Sequence, residues 1–575
     1  MSAKPKQQKT ELQGMASWRL VLVLLVFGSL LSVIVGRLVY LHTIDHPFLY
    51  EQGEKRTLRT ETQPAVRGTI TDRYGKPLAV STPVVDLWIN PKLFSLEKTA
   101  EVASVMGMPA VSLRKRIQTA QQQGRSFIYL KRQVQPALAQ SLLQKKIEGV
   151  YGEDTYRRFY PAAEVTAQTV GIVNIDGRGQ EGLELAYDQY LNGTPGSRKV
   201  VKDLSGNIIK QLQVKEVAKP GGDLALTLDL RLQYVAYREL TAAVNQHRAG
   251  SGSAVLLDAA TGEILALVSH PSYNPNNRAG LKAVNMRNRA IADLIEPGST
   301  IKPFVVAAAL MSGDYKPHTQ VNTAPGYMRI KNKTIRDHRN YGVLDVTGII
   351  TKSSNIGVTK LAQHLGAERL WQFYTKAGIG QANLLGFPGE AIGQMPYPEQ
   401  LDSLGLATVS YGYGLAMSPL QLANAYTNLT QEGCHKPLKI QMTSGDTTPC
   451  EPVMTKEVSR QVLDMLQTVI SAKGTGSRAQ VSGYTAGGKT GTAHRVGRSG
   501  YEHDSYTAVF AGIAPIGNPD LVLVVVIDDP KGKEYYGGEV AAPVFSRIME
   551  QALRLRQVLP DDGSAMSIQI AGGSL

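Results

Sequence analysis

Apolar positions along the chain fall into three regimes. From Leu20 to Gly36 they run without a charge, and continuing past Arg37 to Leu41 gives about 22 residues, roughly 33 Å of helix at 1.5 Å per residue. That length predicts one membrane span. From 42 to about 220, Gly-punctuated strand-like pieces surround one helical region, Glu97 to Leu143, and a shorter helix is expected over Gly182 to Leu191. Lys219-Pro220-Gly221-Gly222 reads as a boundary, and a helical pattern from Leu230 to about Val244 opens the third regime. There Ala254 to Asp258 and Glu263 to Val268 flank a Thr-Gly turn as a β-hairpin. A mostly helical middle from about 299 to 470 follows. Three more strands are predicted at Thr485 to Ala493, Thr507 to Ala514 and Leu521 to Ile527, then a helix over Val540 to Val558. Leu521 to Ile527 is apolar throughout but only seven residues long, which suits a buried strand rather than a second span. Two strands, a helical insert, three strands and a closing helix predict an α+β fold on a five-stranded antiparallel sheet. The expected organisation is a cytoplasmic tail (1–19), an anchor (20–41), an irregular module (42–220), a main domain (221–560) and a small, polar, flexible tail (561–575).

Composition changes this picture little, but charge and cysteine count do. The chain has 575 residues, 43% hydrophobic and 19% charged, which excludes wholesale disorder and a polytopic membrane protein. Lys4, Lys6, Lys9 and Arg19 precede the span against one acid, Glu11, so the N-terminus is expected to stay cytoplasmic and all that follows to be exported. A cleaved signal peptide is the rival, but Gly36 to Tyr40 offers no small-x-small cleavage site. Export makes nucleic acid an improbable partner for the net charge of +14, and an anionic membrane surface a better one. Two cysteines exclude Cys-rich zinc modules. Outside the cytoplasm Cys434 and Cys450 can form a disulfide, with two free thiols as the alternative.

Three short motifs carry the chemistry. Ser299-Thr300-Ile301-Lys302 is one of three S-x-x-K matches, the others beginning at Ser95 and Ser112. Only Ser299 follows a breaker, Glu296-Pro297-Gly298, and precedes Pro303, which is tolerated in the first turn of a helix. Residues i and i+3 share a helix face, so the Lys302 amine is expected beside the Ser299 hydroxyl as its base. Ser353-Ser354-Asn355 is an S-x-N match that also reads as a helix N-cap before Ile356 to Leu365. Lys489-Thr490-Gly491 is the chain's one K-[ST]-G. Gly483 to Thr490 also satisfies the phosphate-loop pattern, but the residues after it, Ala493 to Gly500, contain two glycines and no apolar period where that loop needs a helix. As a strand, Thr490 and Thr492 share one face, a lysine beside two hydroxyls makes a carboxylate pocket, and Gly491 lets a substrate backbone lie close.

The ordered set Ser299-x-x-Lys302, Ser353-x-Asn355, Lys489-Thr490-Gly491 resembles the penicilloyl-serine transferases: penicillin-binding proteins and serine β-lactamases. Arg67-Gly68-Thr69-Ile70, Arg158-Phe159-Tyr160-Pro161 and Gly182-Leu183-Glu184 look like the pedestal module of class B penicillin-binding proteins. Glu296 to Thr300, Lys352 to Asn355 and Tyr535-Tyr536-Gly537-Gly538 look like the cell-division type, penicillin-binding protein 3. The resemblance implies septal peptidoglycan D,D-transpeptidation. Ser299 would be the nucleophile, Lys302 the base, Ser353 the proton relay and Asn355 the group orienting the donor amide. Lys489, Thr490 and Thr492 would hold the terminal carboxylate, and the amides of Ser299 and Thr492 an oxyanion. Tyr411, Tyr535 and Tyr536 are candidate cleft walls. No metal or cofactor is implied. The implied partners are stem peptides and nascent glycan, β-lactams, a membrane glycan polymerase and divisome membrane proteins, with the catalytic domain periplasmic on a single-pass inner-membrane anchor. The rivals of the same fold are a D,D-carboxypeptidase and a β-lactamase. A rival of another class is a non-catalytic β-lactam sensor, which would need more than about 19 residues inside the cell.

Overall fold

The computed structural model describes residues 17–49, 51, 58–202, 208–443, 450–497 and 500–563. Most of the expected cytoplasmic tail, and the C-terminal tail from 564, lie outside them. Ser17–Thr43 is one continuous helix of 27 residues, long and apolar enough to cross a membrane, with none of its apolar window buried.

The chain divides into two compact units, one of Met1–Ala65, Asp86–Glu153 and Thr194–Lys219, the other of Val66–Val85, Asp154–Gly193 and Pro220–Leu575. In the first unit Leu58–Gln63, Gly196–Lys202 and Ile208–Glu216 form an antiparallel ribbon with Gly196–Lys202 in the middle. The helical region expected over Glu97 to Leu143 is corrected: helices Thr99–Met106, Ala110–Gln122 and Pro136–Leu143 enclose a strand, Ile128–Val134. Gly107 in the left-handed region ends the first helix and Pro109 precedes the second. Leu130 and Val134 are buried at a spacing of four, which fits one face of a strand as well as one face of a helix. The helix expected over Gly182 to Leu191 is two short ones, broken at Tyr187.

In the second unit the residues that carried the pedestal resemblance converge on one buried carboxylate. Glu184, fully buried, accepts from Arg67 Nε at 2.7 Å and Arg158 Nε at 2.6 Å, while Arg67 also reaches Asp188 at 2.7 Å. Gly68 has no alternative here, since a Cβ would stand 1.9 Å from the Gly222 carbonyl oxygen.

The main sheet contains β1 (Ser251–Asp258), β2 (Ile264–His270), β3 (Gly487–Gly497), β4 (Gly500–Ala514) and β5 (Leu521–Asp528) in the order β2-β1-β5-β4-β3, antiparallel throughout. The expected strands at Thr485 and Thr507 are one long hairpin, because β3 and β4 extend past the sheet. Strand alternation sends Val522, Val524 and Val526 into one apolar core and Leu521, Leu523, Val525 and Ile527 into the other. Burial on both faces is why β5 is apolar at every position. Helices α1 (Leu230–Gln246) and α6 (Ala542–Leu555) cover one face, with Phe545 against Phe510 at 4.7 Å. Toward the other lie α2 (Lys302–Met311), α3 (Val346–Lys352), α4 (Asn355–Leu365) and α5 (Pro419–Thr427), whose Tyr426 ring meets Phe304 of α2 edge-on at 5.6 Å. This second face holds the candidate site.

Candidate active site

Ser299 lies on a 3-10 turn, Gly298–Ile301, that runs into α2, with Pro303 in that helix's first turn. The turn is fixed from three sides. Thr300 Oγ1 donates to Pro297 O at 2.7 Å, Tyr426 OH donates to Thr300 O at 2.8 Å, and Gly298 N donates to Gly412 O at 3.0 Å. Gly412, at φ 88°, approaches so closely that a Cβ there would be 2.0 Å from Gly298 O. Gly491 has a comparable constraint: a Cβ on it would stand 2.8 Å from Pro297 O. The clearance that glycine provides is used by the Ser299 turn itself.

Ser353 ends α3 at φ 58°, a left-handed conformation that a residue with a Cβ adopts at a cost on the order of 1 kcal/mol. Its neighbour Ser354 takes the N-cap of α4, accepting from Gly357 N at 2.9 Å, which leaves the Ser353 hydroxyl free of capping. That hydroxyl stands between two fully buried lysines, 3.2 Å from Lys302 Nζ and 2.9 Å from Lys489 Nζ. Lys302 Nζ also donates to Ser353 O at 2.7 Å and Asn355 Oδ1 at 2.6 Å. The expected pairing of Lys302 with Ser299 is corrected: among the described residues the Lys302 amine bonds Ser353 and Asn355 of the second motif and not the Ser299 hydroxyl. Ser299 itself is half-buried, and its hydroxyl makes no hydrogen bond among the described residues.

Burial holds the Lys302 amine well below the usual lysine range, and the Lys489 cation lowers it further while Asp337 raises it. Burial alone brings Lys489 down to about 7. A neutral amine has two N–H donors and one lone pair. Ser353 O and Asn355 Oδ1 can only accept, so they occupy both donors of a neutral Lys302 and leave its lone pair for a hydroxyl proton.

On β3, Lys489 leaves the strand toward Ser353, whereas Thr490 and Thr492 lie on the opposite face by the period of two. Thr490 Oγ1 is 2.9 Å from Thr475 Oγ1, and Thr492 Oγ1 accepts from Gly537 N at 3.0 Å. Tyr535 and Tyr536 immediately precede that glycine, with Tyr535 stacked on Tyr506 at 4.3 Å and Tyr536 half exposed. Tyr411 stands beside Gly412, its ring 5.8 Å from Tyr413, and burial pushes its hydroxyl up to about 12. Tyr411 thus adjoins the Ser299 turn through Gly412, and Tyr535 and Tyr536 adjoin Thr492 through Gly537. Cys434 and Cys450 are joined as a disulfide, part of no site motif.

Three residues escaped the sequence reading. Asp337 accepts from Asn355 N at 2.6 Å, Ile356 N at 3.1 Å and Ser354 Oγ at 2.6 Å, capping α4 and orienting the whole second motif. Glu296 Oε1 accepts from Gly414 N at 2.9 Å and Tyr501 OH at 3.0 Å, and burial raises its carboxyl. Thr475 is the third. Asp337 and Thr475 stand well outside the motif they serve, so no local spacing marks them; Glu296 falls within the chain break and the Glu296 to Thr300 resemblance, neither of which gives its carboxylate a partner.

Residues 252–550 match the penicillin binding protein transpeptidase domain family. The chain belongs to that family. Residues 62–226 match the penicillin-binding protein dimerisation domain, which contains all three pedestal motifs. Among relatives, a probable peptidoglycan D,D-transpeptidase PbpC of Pseudomonas aeruginosa is 41% identical, aligned over 95% of this chain and 96% of that one. The peptidoglycan D,D-transpeptidase FtsI of Escherichia coli is also 41% identical, over 97% and 95%. The solved transpeptidase domain of Burkholderia pseudomallei penicillin-binding protein 3 superposes with a TM-score of 0.54 at 40% identity, over 58% of this chain and 97% of that one.

Proposed function

We propose that the protein is a septal peptidoglycan D,D-transpeptidase that works through an acyl-enzyme on Ser299 and is inhibited by β-lactams. The observation carrying this reading is the Ser353 hydroxyl held between the buried Lys302 and Lys489 amines. A neutral Lys302 takes the Ser299 proton as that oxygen attacks the penultimate D-alanine carbonyl. The C–N bond breaks, and Ser353 relays a proton to the departing D-alanine amine. Asn355, held by Asp337, orients the donor amide. Lys489 supplies positive charge for the terminal carboxylate, with Thr490 and Thr492, and the amides of Ser299 and Thr492 receive the oxyanion. An amine from a second stem peptide then resolves the ester. Export through the single anchor, with the N-terminus cytoplasmic, places this chemistry in the periplasm, and a membrane glycan polymerase and divisome proteins are the proposed partners there.

The reading is tested by labelling with a fluorescent penicillin. Label is expected on Ser299 by peptide mass spectrometry and absent in Ser299→Ala at an unchanged melting temperature; an adduct on another residue overturns it. Penicillin turnover above about 1 s⁻¹, an ordinary enzymatic rate, would instead support a β-lactamase. Depletion in cells is expected to give filaments; rounded cells would reassign the enzyme to elongation.

A further inference from the structure

An apolar recess of about 1000 Å³ lies wholly within the second compact unit and shares no residue with the candidate site. Three parts of the chain build it: residues 72–76, residues 161–165, and the start of α1 beside the end of α6. Val165, Leu230, Val235 and Leu555 line it, together with Tyr74 and Tyr234, which are 61% and 55% exposed. The Arg231 guanidinium lies over the Tyr74 ring, 4.6 Å from its centroid, and restrains that exposed ring. Tyrosine, arginine and aliphatic side chains around a concave surface are the composition of a protein-binding hot spot. Charge narrows the guest. Three cations, Lys76, Arg231 and Arg554, line the recess against one acid, Asp72. Asp72 is 2% exposed and spent on backbone, accepting from Tyr74 N, Lys76 N and Leu230 N. Arg231 pairs with the buried Asp229 and Arg554 with Glu550, both at 2.7 Å, but a guanidinium has five N–H donors, so each keeps some open. The Lys76 amine has no partner among the described residues.

We propose that this recess docks another protein on the same side of the membrane as the transpeptidase domain, through a segment whose apolar side chains fill it and whose flanking Asp or Glu side chains meet Lys76, Arg231 and Arg554. Other occupants fit the chemistry less well. A two-fold contact between copies of this chain sets a patch against its own image, which here brings cations against cations. Residues 564–575 offer Met566, Ile568 and Ile570 but carry no acid. A bilayer surface is flat, whereas a recess of this size takes a projecting ridge. Docking would also tie together distant parts of the chain, since residues 72–76 and 161–165 fall in the dimerisation-domain match while α1 and α6 cover the main sheet.

The test places a photoreactive side chain at the recess, Tyr74→p-benzoylphenylalanine or Tyr234→p-benzoylphenylalanine, in the full-length protein in living cells, and identifies the cross-linked peptide by mass spectrometry. Both positions are expected to trap the same segment of one other protein, with apolar residues and Asp or Glu within a few positions of the cross-link. Reversing the charge with Lys76→Glu and Arg554→Glu together is expected to lower the adduct yield at least 10-fold, while penicillin labelling and melting temperature report that the protein stays folded. A synthetic peptide of the trapped segment is expected to bind the purified full-length protein, and to bind it more weakly as salt is raised. Adducts only with lipid, adducts only with a second copy of this chain, or a trapped segment without acids overturn the proposal. So do different partners at the two positions, no adduct at either, or a yield that charge reversal leaves unchanged.

Discussion

Asp337 offers the sharpest test of how the second motif is held and how its charge is felt. Asp337→Asn removes a negative charge while keeping an oxygen for Asn355 N and Ile356 N, now 2.6 and 3.1 Å from the carboxylate. Asp337 raises the Lys302 pKa against the larger effects of burial and Lys489. Without it the amine is depressed further, so it stays neutral to lower pH. The acid limb of the acylation rate, set by protonation of Lys302, is expected to move to lower pH in Asp337→Asn. Asp337→Ala loses the hydrogen bonds as well. Each bond to a charged group contributes about 1.5–3 kcal/mol net, so losing the two at 2.6 Å costs about 3–6 kcal/mol, divided between stability and acylation. The assay is the second-order rate of labelling by a fluorescent penicillin from pH 5 to 9, with urea unfolding in parallel. An acid limb that does not move in Asp337→Asn would refute the electrostatic reasoning, and an Asp337→Ala protein with wild-type stability and rate would refute the structural part.

Glu184→Ala leaves Arg67 and Arg158 buried without their shared carboxylate and is expected to destabilise the protein by about 3–5 kcal/mol, read by urea unfolding. Gly412→Ala drives a Cβ into Gly298 O and demands φ 88° of an alanine, so penicillin acylation is expected to fall at least 10-fold; near-normal labelling would show that the turn can yield. Reducing the Cys434–Cys450 bond, or Cys434→Ser, is expected to lower stability by about 3 kcal/mol on the chain-entropy model while Ser299 still labels, measured by melting and gel fluorescence. Buried Lys489, with a pKa near 7 when folded and near 10.4 when unfolded, binds fewer protons in the folded state between those values, so its contribution makes stability rise with pH across that window; a Lys489→Met protein should lose that slope in pH-dependent unfolding.

Much of the candidate site was legible because its parts are local. A breaker, a serine, and a lysine one turn later with Pro303 behind it marked a serine at a helix start, and Ser299 does lie in the turn that runs into α2. The run Leu521 to Ile527 specified a strand buried on both faces. The strand at Ile128–Val134 was hidden because its two buried residues are four apart. Ser353 was read as a possible cap because nothing local distinguishes it from Ser354; only the left-handed turn ending α3 separates their tasks.

By itself the sequence determined the long apolar N-terminal helix, the α+β alternation, and the identity and order of the three motifs, since each depends on residues within one or two turns or strands. The tertiary structure decided that Ser353 stands between two amines, that Asp337 caps the helix carrying Asn355, and that one carboxylate, Glu184, gathers three separate pedestal motifs. These are contacts between residues from 17 to 136 positions apart. Burial and the neighbouring charges, which tune both lysines, exist only once those distant segments have packed together.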